Sequence, residues 1–207
     1  MNSGYEVDGE LVEENPLWAP WSPDEVASRP ARSDARWYVV AGWAIDLFRG
    51  GESRPHDDIE IGVPRDDFHK IRSSLSEFDF EVIGSGRRWP LSNDAYHKHF
   101  QTWVRDRETS EYHLDVFRDP HEGDVWVCRR DARIRMPYNE LIRFSDSGIP
   151  YMSPEVALLF KAKHQREKDQ FDFEGTRPLL DQRQTDWLRT NLPLVHPGHP
   201  WTTILGD

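Results

Sequence analysis

The chain carries a single cysteine, Cys128, in 207 residues. One thiol cannot close an internal disulfide, so a reducing cytoplasm is the expected setting and Cys128 is expected to be a strand residue without chemistry. Long apolar runs are missing too: no stretch approaches the ~20 residues that a membrane-crossing helix needs. The opening residues MNSGYEVDGELVEEN are acidic and lack the basic and apolar regions of a secretory signal. Positive charge is scarce, with 26 Lys and Arg against 37 Asp and Glu, a formal net charge of −11. Such a chain repels nucleic acid backbones and anionic membranes. It favours a cationic partner, although an acidic surface also serves solubility alone. Internal repeats and low-complexity tracts are absent.

What is present centres on Trp37 to Val63, WYVVAGWAIDLFRGGESRPHDDIEIGV. Trp37 to Val40 is a short apolar run suited to a buried strand. Ala41-Gly42 is a turn where backbone can approach a ligand, and Trp43, Ala44, Leu47 and Phe48 follow at helical spacing. Gly50-Gly51 ends that helix. In the run Asp57 to Val63, strand alternation puts Asp58 and Glu60 on one face and Ile59, Ile61 and Val63 on the other. Two neighbouring carboxylates repel each other unless a cation sits between them, and Mg²⁺ with oxygen ligands suits both the pair and a polyphosphate. Backbone N–H groups at Gly42, with the N-terminus of the following helix, can receive phosphate oxygens. Together these features point to phosphoryl or nucleotidyl transfer.

Along the rest of the chain, residues 1 to about 20 read as irregular. Ser22-Pro23-Asp24-Glu25 is a helix start, and the helix is cut short by Pro30. Residues 66–75 give an amphipathic helix. Residues 78–83, 99–105, 112–118 and 125–129 give strands, with a further short strand in the 84–95 loop. Asp115, in the apolar run His113 to Phe117, is costly unless compensated; Asp119 and Asp124 are expected in a turn. Ser153-Pro154-Glu155 starts a helix expected to run to residues 169–171, placing Lys161 and Lys168 two turns apart on one face. Residues 186–192 give a last helix, then a tail containing Trp201.

The run G-W-A-I-D, followed a dozen residues later by R-P-H-D-D-I-E-I, resembles the nucleotidyltransferase superfamily, and within it the aminoglycoside and lincosamide nucleotidyltransferases. The resemblance returns at Leu114-Asp115-Val116 and at Pro154 to Phe173. It implies an α+β fold, a nucleotidyltransferase-like mixed twisted sheet with flanking helices. It also implies an N-terminal extension over 1–35, a catalytic domain over 36–150 and a small helical C-terminal region over 151–207. By the same resemblance Asp58, Glu60 and Asp115 are the metal and catalytic carboxylates, with Asp115 as general base. Gly42, Trp43, Arg54, His56, Lys161 and Lys168 are nucleotide-binding candidates. ATP is the implied nucleotide, Mg²⁺ the cofactor, and a small cationic or polyhydroxyl molecule the acceptor. For Arg54 and His56 a purely structural role stands equally open, as does a solvated helix face for either lysine. Asp46 is expected to hold the 50–57 loop, and Asp169 and Asp172 to pair with arginines. Two departures stand out: Ala41 replaces a glycine common in the turn, and Glu60 replaces the more usual second aspartate. Alternatives are a toxin-type enzyme of the same fold acting on RNA or protein, a non-catalytic nucleotide-binding protein, and last a phosphohydrolase read from His56-Asp57.

Overall fold

The computed structural model describes residues 9–29 and 33–206. The expected irregular start at residues 1–8 and the helix stop at Pro30 lie outside the described residues. In chain order the first half contains β1 (Glu10–Leu11), α1 (Pro23–Ser28), β2 (Tyr38–Val39), α2 (Ala41–Arg49), β3 (Glu60–Pro64), α3 (Phe68–Ser74), β4 (Asp79–Gly84), β5 (Arg87–Pro90), α4 (Ala95–Lys98), β6 (Gln101–Arg105) and β7 (Tyr112–Asp119). The second half contains β8 (His121–Glu122), β9 (Val125–Val127), β10 (Arg135–Pro137), α5 (Tyr138–Leu141), β11 (Ile142–Phe144), β12 (Pro150–Met152), α6 (Pro154–Lys161), α7 (Glu167–Thr176), α8 (Gln182–Val195) and α9 (Trp201–Ile204). The chain divides into two compact units, one formed by Met1–Trp37 with Asp57–Asp119, the other by Tyr38–His56 with Pro120–Asp207. Among the described residues no helix is long and apolar enough to cross a membrane.

The first unit is built on a mixed sheet in the order β1-β5-β4-β6-β7-β3, antiparallel throughout except for the parallel β7–β3 pair. Ile61, Val63, Val82, Val104, Leu114 and Val116 are fully buried along it, the half-apolar alternation expected of strands covered on one side. Helix α3 adds Phe68, Ile71 and the adjoining Leu75. Helix α1 opens on the expected capping box: Glu25 N–H donates to Ser22 Oγ at 3.3 Å and Ser22 N–H donates to the Glu25 carboxylate at 2.8 Å. The stretch ahead of it is less irregular than expected, since β1 joins β5 and Trp18 bridges to Tyr112. Asp119, expected in a turn, is instead the fully buried last residue of β7.

In the second unit β2 pairs in parallel with β12, placing Val39 opposite Tyr151, and β12 pairs antiparallel with β11. β8, β9 and β10 form a small antiparallel sheet of their own. Helices α2, α6 and α8 pack together, with Ile45, Val156, Leu158, Leu159, Leu188 and Leu192 fully buried. Cys128 is buried as a free thiol. Three expectations are corrected here. The single helix from Ser153 is two helices, broken at residues 162–166 where Gln165 takes φ 48°, so Lys161 and Lys168 do not share one helical face. The last long helix begins earlier, behind an Asp181–Gln184 capping box, and runs through Pro193 to Val195. The tail also carries α9, whose Trp201 is buried and stacked on Phe173 at 4.1 Å.

Candidate active site

In the first unit the parallel β3–β7 register sets Glu60 directly opposite Asp115. The ladder is closed there by the Asp115 N–H donating to the Ile59 carbonyl at 2.9 Å. Residues in register on neighbouring strands project from the same face, so the two carboxylates are side by side. Asp115 is only 3% exposed, and Gln101 Nε2 on β6 donates to its Oδ2 at 2.5 Å. Gln101 was not identified from sequence; a polar residue at the start of a strand gives no period signal of its own. Asp58 is half-buried but precedes the strand, which starts at Glu60. The alternation argument therefore reaches Glu60 and stops short of Asp58. Among the described residues no group of three or more His, Cys, Asp or Glu side chains is arranged to hold a metal. The Glu60–Asp115 pair itself has the right chemistry for Mg²⁺, being anionic and all-oxygen.

The second unit carries the turn. Ala41 sits at φ 54°, the left-handed region that side chains rarely adopt. Gly42 follows, and a Cβ there would lie 2.6 Å from Arg54 Nη2 and 2.7 Å from the His56 ring. The turn needs glycine at this second position because two side chains press on its backbone. Trp43 stacks on His56, ring centroids 4.3 Å apart.

Those two side chains are themselves pinned. Asp46, buried on α2, accepts from His56 Nε2 at 2.7 Å, from the Ser53 N–H at 3.1 Å and from Ser53 Oγ at 2.5 Å. Burial pushes the Asp46 carboxyl up, but the hydrogen bonds from His56 and Ser53 outweigh it and hold the group below its usual value. Asp46 thus holds the 50–57 loop, as expected. Arg54 grips Asp172 through Nε and Nη2 at 3.0 and 2.9 Å, and its Nη1 reaches the Pro55 carbonyl at 3.1 Å and His56 Nδ1 at 3.3 Å. A guanidinium can only donate, so His56 Nδ1 accepts and the Nε2–H faces Asp46. Burial works against the Arg54 charge, yet the Asp172 bonds leave its pKa raised.

Lys161 completes this network rather than facing solvent. Its Nζ is 2.6 Å from Asp172 and 3.6 Å from Asp169, with the side chain 7% exposed. Asp169 is also gripped by Arg166 at 2.7 Å, so both C-terminal aspartates pair with arginines as expected. Lys168 sits half-buried in the first turn of α7.

A model of the family described as aminoglycoside-2''-adenylyltransferase matches residues 24–175. The chain belongs to the aminoglycoside-2''-adenylyltransferase family. The matched span of this adenylyltransferase-family chain includes Gly42, Asp58, Glu60, Asp115, Lys161 and Lys168. Solved structures show the same fold. The lincosamide antibiotic adenylyltransferase LnuA, in a lincomycin-bound crystal structure, is 18% identical with a TM-score of 0.55, over 80% of this chain and 100% of that one. The antibiotic-resistance factor ANT(2'')-Ia in solution is 14% identical with a TM-score of 0.55, over 82% of this chain and 87% of that one. No curated protein sequence matches the chain. The mixed sheet with flanking helices is therefore the nucleotidyltransferase architecture that the resemblance implied.

Proposed function

We propose that this adenylyltransferase-family enzyme moves AMP from ATP to a hydroxyl of a small cationic, polyhydroxyl antibiotic of the aminoglycoside kind. The observation that carries the reading is the register pairing of Glu60 with Asp115, which sets two carboxylates on neighbouring strands where a bound cation relieves their repulsion. Glu60 and Asp115 would hold Mg²⁺, which when bound offsets charge on the triphosphate. Asp115 takes the proton of the acceptor hydroxyl as its oxygen attacks the α-phosphorus, and pyrophosphate leaves. Gln101, bonded to one Asp115 oxygen at 2.5 Å, fixes the direction in which the other accepts. The backbone of Gly42 offers N–H groups to phosphate oxygens, and Lys168 supplies a cation. Arg54 and His56 hold the turn in shape from behind. Lys161 serves nucleotide binding through the same clamp, by its contact with Asp172.

The test is mass spectrometry of tobramycin and lincomycin after incubation with ATP and Mg²⁺. The expected result is one added adenylyl group on tobramycin with release of pyrophosphate. Asp115→Asn and Glu60→Gln should each lower the rate by about 10²–10³-fold with an unchanged circular dichroism spectrum. Absence of transfer by the wild-type chain, or full activity in Asp115→Asn, overturns the proposal.

A further inference from the structure

Asp115 has a neighbour on each side in the sheet of the first unit. Across β3 it faces Glu60, and across β6 the antiparallel register sets Trp103 directly opposite it. Side chains in register on adjacent strands share a face, with Cβ atoms about 5 Å apart. The same row continues to Glu81 on β4. That carboxylate is already met: Tyr112 Oη donates to it at 2.7 Å, and Arg105 Nε lies 3.3 Å away. Beyond Asp115 the row therefore offers an indole ring rather than a further charge.

Trp103 is half-buried, and Trp18 and Tyr112 meet its ring edge-on, with centroids 5.2 and 4.9 Å away. Its Nε1–H is shut off from water and donates to no described residue. Leaving a buried donor so is costly, and a phenylalanine would not carry that cost. Packing alone therefore explains this tryptophan poorly, and such breaches of polar pairing concentrate at functional sites.

Trp18 comes from a segment ahead of α1. The Tyr112 N–H donates to the Leu17 carbonyl at 2.8 Å, the Ala19 N–H to the Tyr112 carbonyl at 2.9 Å and the Trp21 N–H to the His113 carbonyl at 3.1 Å. With β6 on the other edge of β7, residues 17–21 occupy the edge that β3 takes over at Asp115, whose N–H donates to the Ile59 carbonyl. Trp21 stacks on His113, centroids 5.2 Å apart, and anchors the segment. The segment precedes residue 24, where the family match begins, so the family match says nothing of it.

We infer that Trp18 and Trp103 form a wall that selects the acceptor. Their half-exposed rings stack on the apolar C–H face of the ring whose hydroxyl Asp115 deprotonates. The wall seats that ring beside Asp115 and keeps water out of its place. The inference rests on the AMP-transfer reading and names the residues that set the acceptor's seat within it.

Steady-state kinetics of the full chain with tobramycin and ATP test it, with isothermal titration of tobramycin alongside. Trp18→Ala should raise the KM for tobramycin about 10-fold, and Trp103→Phe, which keeps a smaller ring face, about 3-fold. Neither should move the KM for ATP. Trp103→Phe should do this without lowering the melting temperature, because it also removes the unmet donor; a purely structural role predicts the reverse. Leu11→Ala, on β1 just upstream and 69% exposed, should leave both KM values alone. A wild-type tobramycin KM in either tryptophan variant overturns the inference, as does a rise confined to the KM for ATP. If the wild-type chain transfers no AMP, the titration decides. Weaker tobramycin binding in both variants then upholds the wall while the AMP reading falls. Equal affinity in the variants, or no binding to the wild-type chain, overturns the wall.

Discussion

Arg54 clamps Asp172 with both prongs of its guanidinium, 118 residues further along the chain, while Lys161 Nζ sits 2.6 Å from the same carboxylate. Two cations thus share one buried carboxylate, and Asp169, 3.6 Å from Lys161 Nζ, supplies a second negative charge. Removing Asp172 leaves both cations with Asp169 as their nearby counter-charge, which costs about 3–5 kcal/mol. Asp172→Asn should therefore lower unfolding free energy by about that amount in urea titrations. A loss below about 1 kcal/mol would show that the clamp opens to solvent.

Gly42→Ala should be damaging although it adds only a methyl group. The new carbon would meet Arg54 at 2.6 Å and His56 at 2.7 Å, and neither can swing away without breaking its bonds to Asp172 or Asp46. Overpacking of this kind costs about 1–3 kcal/mol. Thermal unfolding should show it, together with a raised KM for ATP. An alanine variant with wild-type melting and KM contradicts the close approach.

At the preceding position the opposite holds. Ala41 at φ 54° pays about 1 kcal/mol for its side chain in the left-handed region. Ala41→Gly gains that back, less the extra chain entropy of glycine in the unfolded state. A melting temperature raised by about 1–3 °C is expected; a lowered one would mean the strain is relieved elsewhere.

Acid and base should act through different residues. Asp46, despite its burial, is held below its ordinary pKa of 3.8 by His56 and Ser53, and Asp169 is likewise held down by Arg166 and Lys161. Their contribution to stability is complete above that value and is lost as pH falls through the lowered folded values. Glu155 runs the other way: burial raises it above its ordinary 4.5, so the folded state holds its proton longer than the unfolded one. Stability then declines as pH rises from that ordinary value through the raised one. Glu155→Gln keeps an acceptor for Gln184, which donates to the carboxylate at 3.0 Å. It should remove that decline in melting curves from pH 5 to 8, and an unchanged slope would refute the assignment.

The Glu60–Asp115 pairing makes a prediction that needs no turnover. Like charges opposite each other across two strands cost about 0.2–1 kcal/mol. Glu60→Gln should raise the melting temperature slightly in EDTA, and millimolar Mg²⁺ should stabilise the wild-type chain more than the variant. Equal magnesium shifts in the two proteins would remove Glu60 from the metal site.

Much of this was readable from residue order. The Ser22–Glu25 cap, the apolar run before Ala41, the Gly50 stop and the alternation through Val63 are local signals, and each found its element. The pairing of Asp169 and Asp172 with arginines also follows from chemistry alone, since buried carboxylates require it. What failed depended on contacts distant in sequence. The break at Gln165 lies in a polar run with no glycine or proline to mark it, so periodicity carried the helix straight through. The solvated helix face weighed as the alternative for Lys161 does not hold, because only folding reveals that Asp172 lies against it. Asp58 looked like a strand residue because alternation cannot show where pairing begins. Gln101 had no motif at all; it acquires meaning only from the strand beside it.

The segment Tyr38–His56 belongs to the same compact unit as Pro120–Asp207, with Met1–Trp37 and Asp57–Asp119 forming the other. On the ribosome, the nascent strand and helix that hold Gly42 emerge early, yet Asp172 and Lys161 are synthesised more than a hundred residues later. The apolar face of α2 must wait that long for its cover, and a chaperone that shields nascent hydrophobic surface would meet the chain in that interval. A stalled or prematurely terminated message would leave that helix bare, a ready target for proteolytic clearance.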